Sequence, residues 1–267
     1  PYSVAHLRLS RFLAEHGVKV ESQAPFKILL ADTLASHEVD DNAMLPEVFG
    51  YEQILEEREA ARELKVDTNV VVSIGNPPYL RGRKTDAGAS AGGWVTMRRS
   101  PTKGQKVRDP VTRRMVADRG EIGILKDFVE PAIAAGRGGD VKNLYNAYVY
   151  FWRWALWKVF EQEQGGADGS TLESRAGIVS FITASSFLRG PGFVGMREHM
   201  RRHLDEIWIV DLGGDNRGGR KSENVFSIET PVAITLGVRY GARNLDKPAR
   251  VHYVTLADSS AATKRAV

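Results

Sequence analysis

The 267-residue sequence has no cysteine, which excludes disulfides, thiolate zinc sites and a cysteine nucleophile, and with them the usual mark of an oxidising compartment. It also lacks any apolar run of the roughly 18 residues that a membrane-spanning helix needs, and it has no signal peptide. These absences predict a cytoplasmic protein. An initiator methionine is missing as well. The chain begins at Pro1, directly before a helical pattern, which predicts a piece of a longer polypeptide. No charge sign dominates overall, with 37 Lys or Arg against 33 Asp or Glu and a net charge of +4. The balance hides a segregation. Between Leu80 and Gly120 stand eleven basic residues against Asp86, Asp109 and Asp118, so this stretch carries +8 and the remainder of the chain must carry −4. A basic segment in an otherwise acidic chain predicts a polyanionic partner.

Hydrophobic residues make up 42% of the chain, ample for a core, and the length suits one large domain. Tyr2 to His16 has apolar residues at helical spacing and is followed by Gly17, a C-cap signal. Phe26 to Ala31 reads as a strand ending at Asp32-Thr33-Leu34, and Tyr51 to Leu64 as a helix. Ile122 to Ala135 predicts a helix interrupted at Pro131, and Asn143 to Glu163 a long aromatic helix buried against a sheet. Strands follow at Ala176–Ile182, Glu206–Leu212, Thr230–Tyr240 and Arg250–Leu256, with a helix at Gly192–His203. His199 and His203 stand four apart, a spacing that can bind metal on one helix face. Arg201 and Arg202 lie between them and no third ligand is evident, so the pair reads as a solvated helix end and no metal site is assigned. The sum is an α/β doubly wound, mostly parallel sheet closing with an antiparallel hairpin.

The chemistry concentrates at Asn76-Pro77-Pro78-Tyr79, which follows the β-branched run Val70-Val71-Val72-Ser73-Ile74-Gly75 without a gap. A loop at the carboxyl end of a strand is where open α/β sheets place their ligands. Each proline fixes its own φ and pushes the preceding residue out of the helical region, so Asn76 and Pro77 are extended. The Asn76 side-chain oxygen and the Pro77 carbonyl can then accept both hydrogens of a planar amino group, while Tyr79 offers a ring face to its heterocycle.

This tetrapeptide after a hydrophobic strand resembles the catalytic motif of S-adenosylmethionine-dependent amino-methyltransferases, above all those that methylate N6 of adenine in DNA. Asn143 to Asn146, Phe181 to Gly190 and Ser222 to Phe226 bring the chain close to the methylase segments of type ISP and related phage-defence restriction-modification polypeptides, from about Pro1 to about Leu256. The resemblance implies a Rossmann-like class I methyltransferase fold, N-terminally incomplete, with a partial catalytic domain over 1–256, a basic insertion at 80–120 and a polar tail at 257–267. It implies Asn76, Pro77, Pro78 and Tyr79 as catalytic residues, and S-adenosylmethionine as cofactor with its adenine end at Asp32, Thr33 and Leu34. Tyr79 and Phe226 would stack on a flipped target base. The likeness departs at the start of the fold, since the glycine-rich turn and the ribose-binding acidic residue of the family are not found. The glycines at 88–93 and 213–219 come too late in the chain to replace them.

The implied partners are double-stranded DNA, gripped through Arg81, Arg83, Lys84, Arg98, Arg99, Arg113 and Arg114, and attached or associated restriction or helicase modules. A segment so polar predicts a loop that orders only on DNA. Two other readings share the motif: an RNA or protein-glutamine amino-methyltransferase, and a non-catalytic DNA-binding fragment.

Overall fold

The computed structural model describes residues 2–18, 28–29, 31–34, 51–79, 92–96, 106–108, 115–117, 123–162, 175–214, 223–226, 228–242, 244–256 and 258–265. The chain forms two compact units, Pro1–Thr68 and Asn69–Val267. Among the described residues no helix is long and apolar enough to cross a membrane.

In the first unit, α1 (Tyr2–Glu15) ends as its sequence predicts. Gly17 adopts φ +73°, and the Val18 N–H reaches back to Leu13 O at 2.9 Å, the bond that closes a Schellman turn. The apolar residues of α1 remain largely exposed, Leu7 at 70%. Helix α2 spans Tyr51–Val66, and its Lys65 Nζ donates to Asp32 O at 2.5 Å. The described residues of the expected strand at 26–31 are Ile28, Leu29 and Ala31, and none is in a strand. A strand exists only through a ladder with a neighbour, and no described residue supplies one here.

The second unit is built on a five-stranded sheet of order β1-β4-β6-β5-β7, with β1 Val72–Gly75, β4 Ala176–Ala184, β5 Glu206–Gly213, β6 Val232–Tyr240 and β7 Arg250–Thr255. β1 runs parallel to β4, β6 is antiparallel to both β4 and β5, and β7 is parallel to β5. The closing hairpin expected from the sequence is therefore not made by the last two strands. The connection at 241–249 explains why. The Ala249 N–H bonds to Arg201 O at 2.7 Å and the Arg250 N–H to Asp205 O at 2.9 Å. These bonds carry the chain past the start of β5, so β7 arrives on the outer side of β5 and in the same direction.

Helices α4 (Lys126–Ala134), α5 (Ala147–Leu156) and α6 (Val194–His203) complete the core. The long aromatic helix of the sequence reading is divided. A 3₁₀ stretch covers Gly138–Leu144, Asn146 is extended, and a π-helical turn at Trp157–Glu161 closes the segment. Three contacts set these helices on one side of the sheet. Trp152 meets Phe181 edge to face, with ring centroids 5.0 Å apart. A β-carbon on Gly177 would strike Val159, and one on Gly237 would strike Leu204. Gly177, Phe181 and Gly237 share a face, together with buried Val179, Thr183, Ala233 and Thr235. The other face presents Val72, Ile74, Ile178, Ile182, Leu236, Trp208 and Val254, and Ile74 is 78% exposed. In the second unit the described helices between β1 and β5 pack on the opposite face of the sheet.

The segment at 80–120, read as an irregular loop, contains helix α3 (Gly93–Thr96) and an antiparallel pair, β2 (Lys106–Arg108) with β3 (Met115–Ala117). Val95 is fully buried, and Trp94 packs on Trp157 with centroids 4.7 Å apart, so part of this basic stretch belongs to the core. The expected polar tail also carries structure. Helix α7 (Ala261–Arg265) buries Lys264, whose Nζ donates to Glu223 O at 2.7 Å.

Candidate active site

β1 forms because a β-branched run pairs in parallel with β4, Val72 opposite Ile178 through Gly75 opposite Phe181. It stops at the two prolines, which have no N–H to continue a ladder. Asn76 and Pro78 are exposed, Pro77 is buried and Tyr79 is half-buried. The Tyr79 hydroxyl lies 2.9 Å from Asn76 Oδ1 and 3.2 Å from Ile182 O. It has one proton for two acceptors, and it ties the loop to both its own asparagine and the neighbouring strand. Burial pushes the phenol up to about 12 from its ordinary 10.0, so Tyr79 stays neutral and donating through any neutral assay. Asn76 Oδ1 retains a second lone pair. No described backbone N–H donates to the Asn76 or Pro77 carbonyl.

The carboxyl end of β4 adjoins this loop. Trp152 Nε1 donates to Thr183 Oγ1 at 3.4 Å, and the Tyr148 hydroxyl meets Ser186 Oγ at 3.0 Å. The amino end of α5 is thereby pinned at the same edge, and beside it the buried side-chain oxygen of Asn146 has no hydrogen-bond partner among the described residues. The connection from β5 back to β6 crosses that edge too, and it carries Phe226. Asn224 holds it: Nδ2 donates to Gly214 O at 3.3 Å and to Thr230 O at 2.7 Å, and Oδ1 accepts the Phe226 N–H at 2.9 Å. Phe226 is 43% exposed, so it is not a core residue but an aromatic ring held out on a fastened turn. Three strand spacings separate β1 from β5, about 14 Å at about 4.8 Å each.

Asp32, Thr33 and Leu34 belong to the first unit. Asp32 Oδ1 accepts the Leu34 N–H at 2.9 Å, an Asx turn. Asp32 is exposed and Leu34 buried. Arg81, Arg83, Lys84, Arg98, Arg99, Arg113 and Arg114 lie outside the described residues.

Sequence reasoning missed two clusters. The first corrects the reading of the histidine pair as a solvated helix end. His199 is buried, and Glu161 of the π-helical turn joins the pair, with ligand-capable atoms all within 4.8 Å. That carboxylate is already committed. Arg153, itself buried, donates to Glu161 Oε1 at 3.0 Å and Oε2 at 2.5 Å, and also to Asp127 at 2.6 Å, while His199 Nε2 lies 2.9 Å from Glu161 Oε1. Burial pushes the Glu161 carboxyl up, but Arg153 and His199 outweigh it and hold the group far below its ordinary range. The cluster binds α4, α5 and α6 together. The second cluster lies at the carboxyl edge of the sheet. Asp211, 5% exposed, accepts the Gly213 N–H at 3.1 Å and the Tyr253 hydroxyl at 2.8 Å, and Arg189 Nη2 donates to that hydroxyl at 2.9 Å. An aspartate at a strand's carboxyl end was the available signal, the same one that singled out Asp32.

No known protein family matches the sequence, and no curated protein matches it. Solved structures do. The ATP-dependent Type ISP restriction-modification enzyme LlaBIII bound to DNA matches with TM-score 0.54 and 22% identity over 92% of this chain. A nuclease-deletion mutant of the Type ISP restriction-modification enzyme LlaGI in complex with a DNA substrate mimic matches with TM-score 0.56 and 18% identity over 96%. The fold is that of a segment of these enzymes. The chain spans 13% of the LlaBIII chain and 20% of the LlaGI chain.

Proposed function

We propose that this chain is the target-base portion of a DNA adenine-N6 methyltransferase that uses S-adenosylmethionine, acting within a restriction-modification polypeptide that also holds nuclease or helicase modules. The observation that carries the reading is the Asn76-Tyr79 loop. It is stiffened by two prolines, it lies at the carboxyl end of a parallel strand, and its acceptors face no described backbone donor. Both Type ISP neighbours are described in complex with DNA or a DNA mimic.

The amino group of adenine is a weak nucleophile because its lone pair is delocalised into the ring. Asn76 Oδ1 and the Pro77 carbonyl would draw its two hydrogens toward tetrahedral geometry and return that lone pair to nitrogen. S-adenosylmethionine supplies an electrophilic methyl on a sulfonium. The S–C bond would break as the N–C bond forms, the electron pair leaving on sulfur as a neutral thioether, and Asn76 Oδ1 or the Pro77 carbonyl would hold the proton that nitrogen then gives up until it passes to solvent. Tyr79 keeps its proton throughout and serves by its ring face. The target atom is inaccessible in a stacked duplex, so the base must leave the helix, and Tyr79 and Phe226 would replace its stacking partners. The cofactor's adenine amino group suits the exposed Asp32 carboxylate, of which one oxygen is used by Leu34.

The test is methyl transfer by the natural polypeptide. Duplex DNA incubated with methyl-labelled S-adenosylmethionine and digested to nucleosides should yield N6-methyladenine. Label in RNA or in protein glutamine instead would move the substrate, and no transfer with intact DNA binding would leave a non-catalytic DNA-binding fragment.

A further inference from the structure

A loop arginine is held out from the sheet's carboxyl edge by a buried acid, through a tyrosine. Asp211 is the only buried carboxylate among the described residues. Its oxygens accept the Gly213 N–H and the Tyr253 hydroxyl, and the hydroxyl in turn accepts from Arg189 Nη2. The guanidinium stands 3.6 Å from Asp211 Oδ2, and the Arg189 side chain is 80% exposed. It is therefore anchored at one nitrogen and not clasped face to face by the carboxylate, so the rest of its planar fork points to solvent. The loop behind it is fixed as well. Arg197 Nη1 donates to Phe187 O at 2.7 Å and to Gly190 O at 2.8 Å, and the Gly190 N–H bonds to Ser186 O at 2.8 Å.

An exposed ion pair of this kind adds little stability. Its cost in order is repaid if the fork meets an external anion, since guanidinium matches a phosphate in two parallel bonds and a preset rotamer loses little on binding. Arg189 follows β4 directly and reaches β5 and β7, so it shares the carboxyl edge with the Asn76 loop, about 14 to 19 Å away by strand spacing. At 3.4 Å per base step that is roughly four to six steps along one strand.

We propose that Arg189, oriented by Tyr253 and Asp211, is a preset contact for a backbone phosphate of duplex DNA flanking the flipped base. This rests on the proposed function and adds a residue to it.

The experiment is a salt series of equilibrium binding to a random-sequence duplex by the natural polypeptide. Arg189→Gln should weaken binding about tenfold and flatten the slope of log K against log salt by about 0.9. Arg189→Lys should keep the slope and lose affinity. Tyr253→Phe should also weaken binding while leaving the charge count unchanged. Parental affinity and slope in Arg189→Gln would overturn the inference and leave the proposed function standing, as would a lowered melting temperature with an unchanged slope, the mark of a mere tether. No DNA binding by the parent would overturn both.

Discussion

At the scale of single residues, the proposed loop chemistry is tested at Asn76. Replacing this exposed residue with alanine would remove one of the two acceptors proposed to act on the amino group. Methylation by the natural polypeptide should fall about 10² to 10³-fold with DNA affinity nearly unchanged, as single-turnover assays and binding isotherms would report. The loop and its residue types were legible in the sequence because strand, prolines and asparagine are contiguous. The bond from Tyr79 to Ile182 O was not, since its partner lies 103 residues away. His203 gives a test of pH dependence. Burial lowers it to about 4 from its ordinary 6.5, helped by His199, while Glu161 opposes and Arg153 and Arg239 add to the shift. Between those values the unfolded chain binds the proton and the folded one does not. The stability it contributes is present above pH 6.5 and is lost as the pH falls toward 4. His203→Gln should flatten the fall of melting temperature across that window.

Among elements, α4 and α6 pack too closely for a side chain at Gly195. A β-carbon on Gly195 would lie 2.0 Å from Phe128 O, a backbone atom that cannot swing aside. Gly195→Ala must therefore push the helices apart, straining the ion-pair cluster of Arg153, Asp127, Glu161 and His199 that joins them. A loss of about 1 to 3 kcal/mol is expected, measured as a drop in the denaturant midpoint. Strands β4, β5, β6 and β7 and helix α6 lie within a few residues of their sequence-based bounds, because each has its own alternation or helical period and its own stop. The aromatic helix does not. The sequence pattern carries no stop at Asn146 or at Trp157, where the backbone becomes extended and then π-helical, and the turn at Trp157–Glu161 brings Glu161 to Arg153.

For the whole molecule, charge and completeness make two further tests. Replacing Arg98, Arg99, Arg113 and Arg114 with Gln should weaken binding to all DNA sequences alike and flatten the salt slope by up to about 3 to 4. An unchanged slope would remove the basic segment from the interface and shift attention to Arg189. Calorimetry on the 267-residue chain should detect little or no S-adenosylmethionine binding, because the contact proposed at Asp32 would address only one end of that cofactor. Micromolar affinity would reveal a cofactor site made from other residues.

The sequence by itself determined what is encoded within a dozen neighbouring residues: the α/β class, most element bounds, the proline-stiffened loop at the end of β1 and the basic stretch after it. Hydrophobic period, proline and glycine act locally, so they can be read locally. Tertiary structure alone decided which strands became neighbours. It put β6 antiparallel between β4 and β5, and β7 parallel on the outside. It also gathered Glu161 with His199 and His203, and Arg189 with Tyr253 and Asp211. Strand order and side-chain encounters depend on which edge a chain reaches and which face it covers. Those are properties of the packed sheet, and residues far apart in sequence acquire them only together.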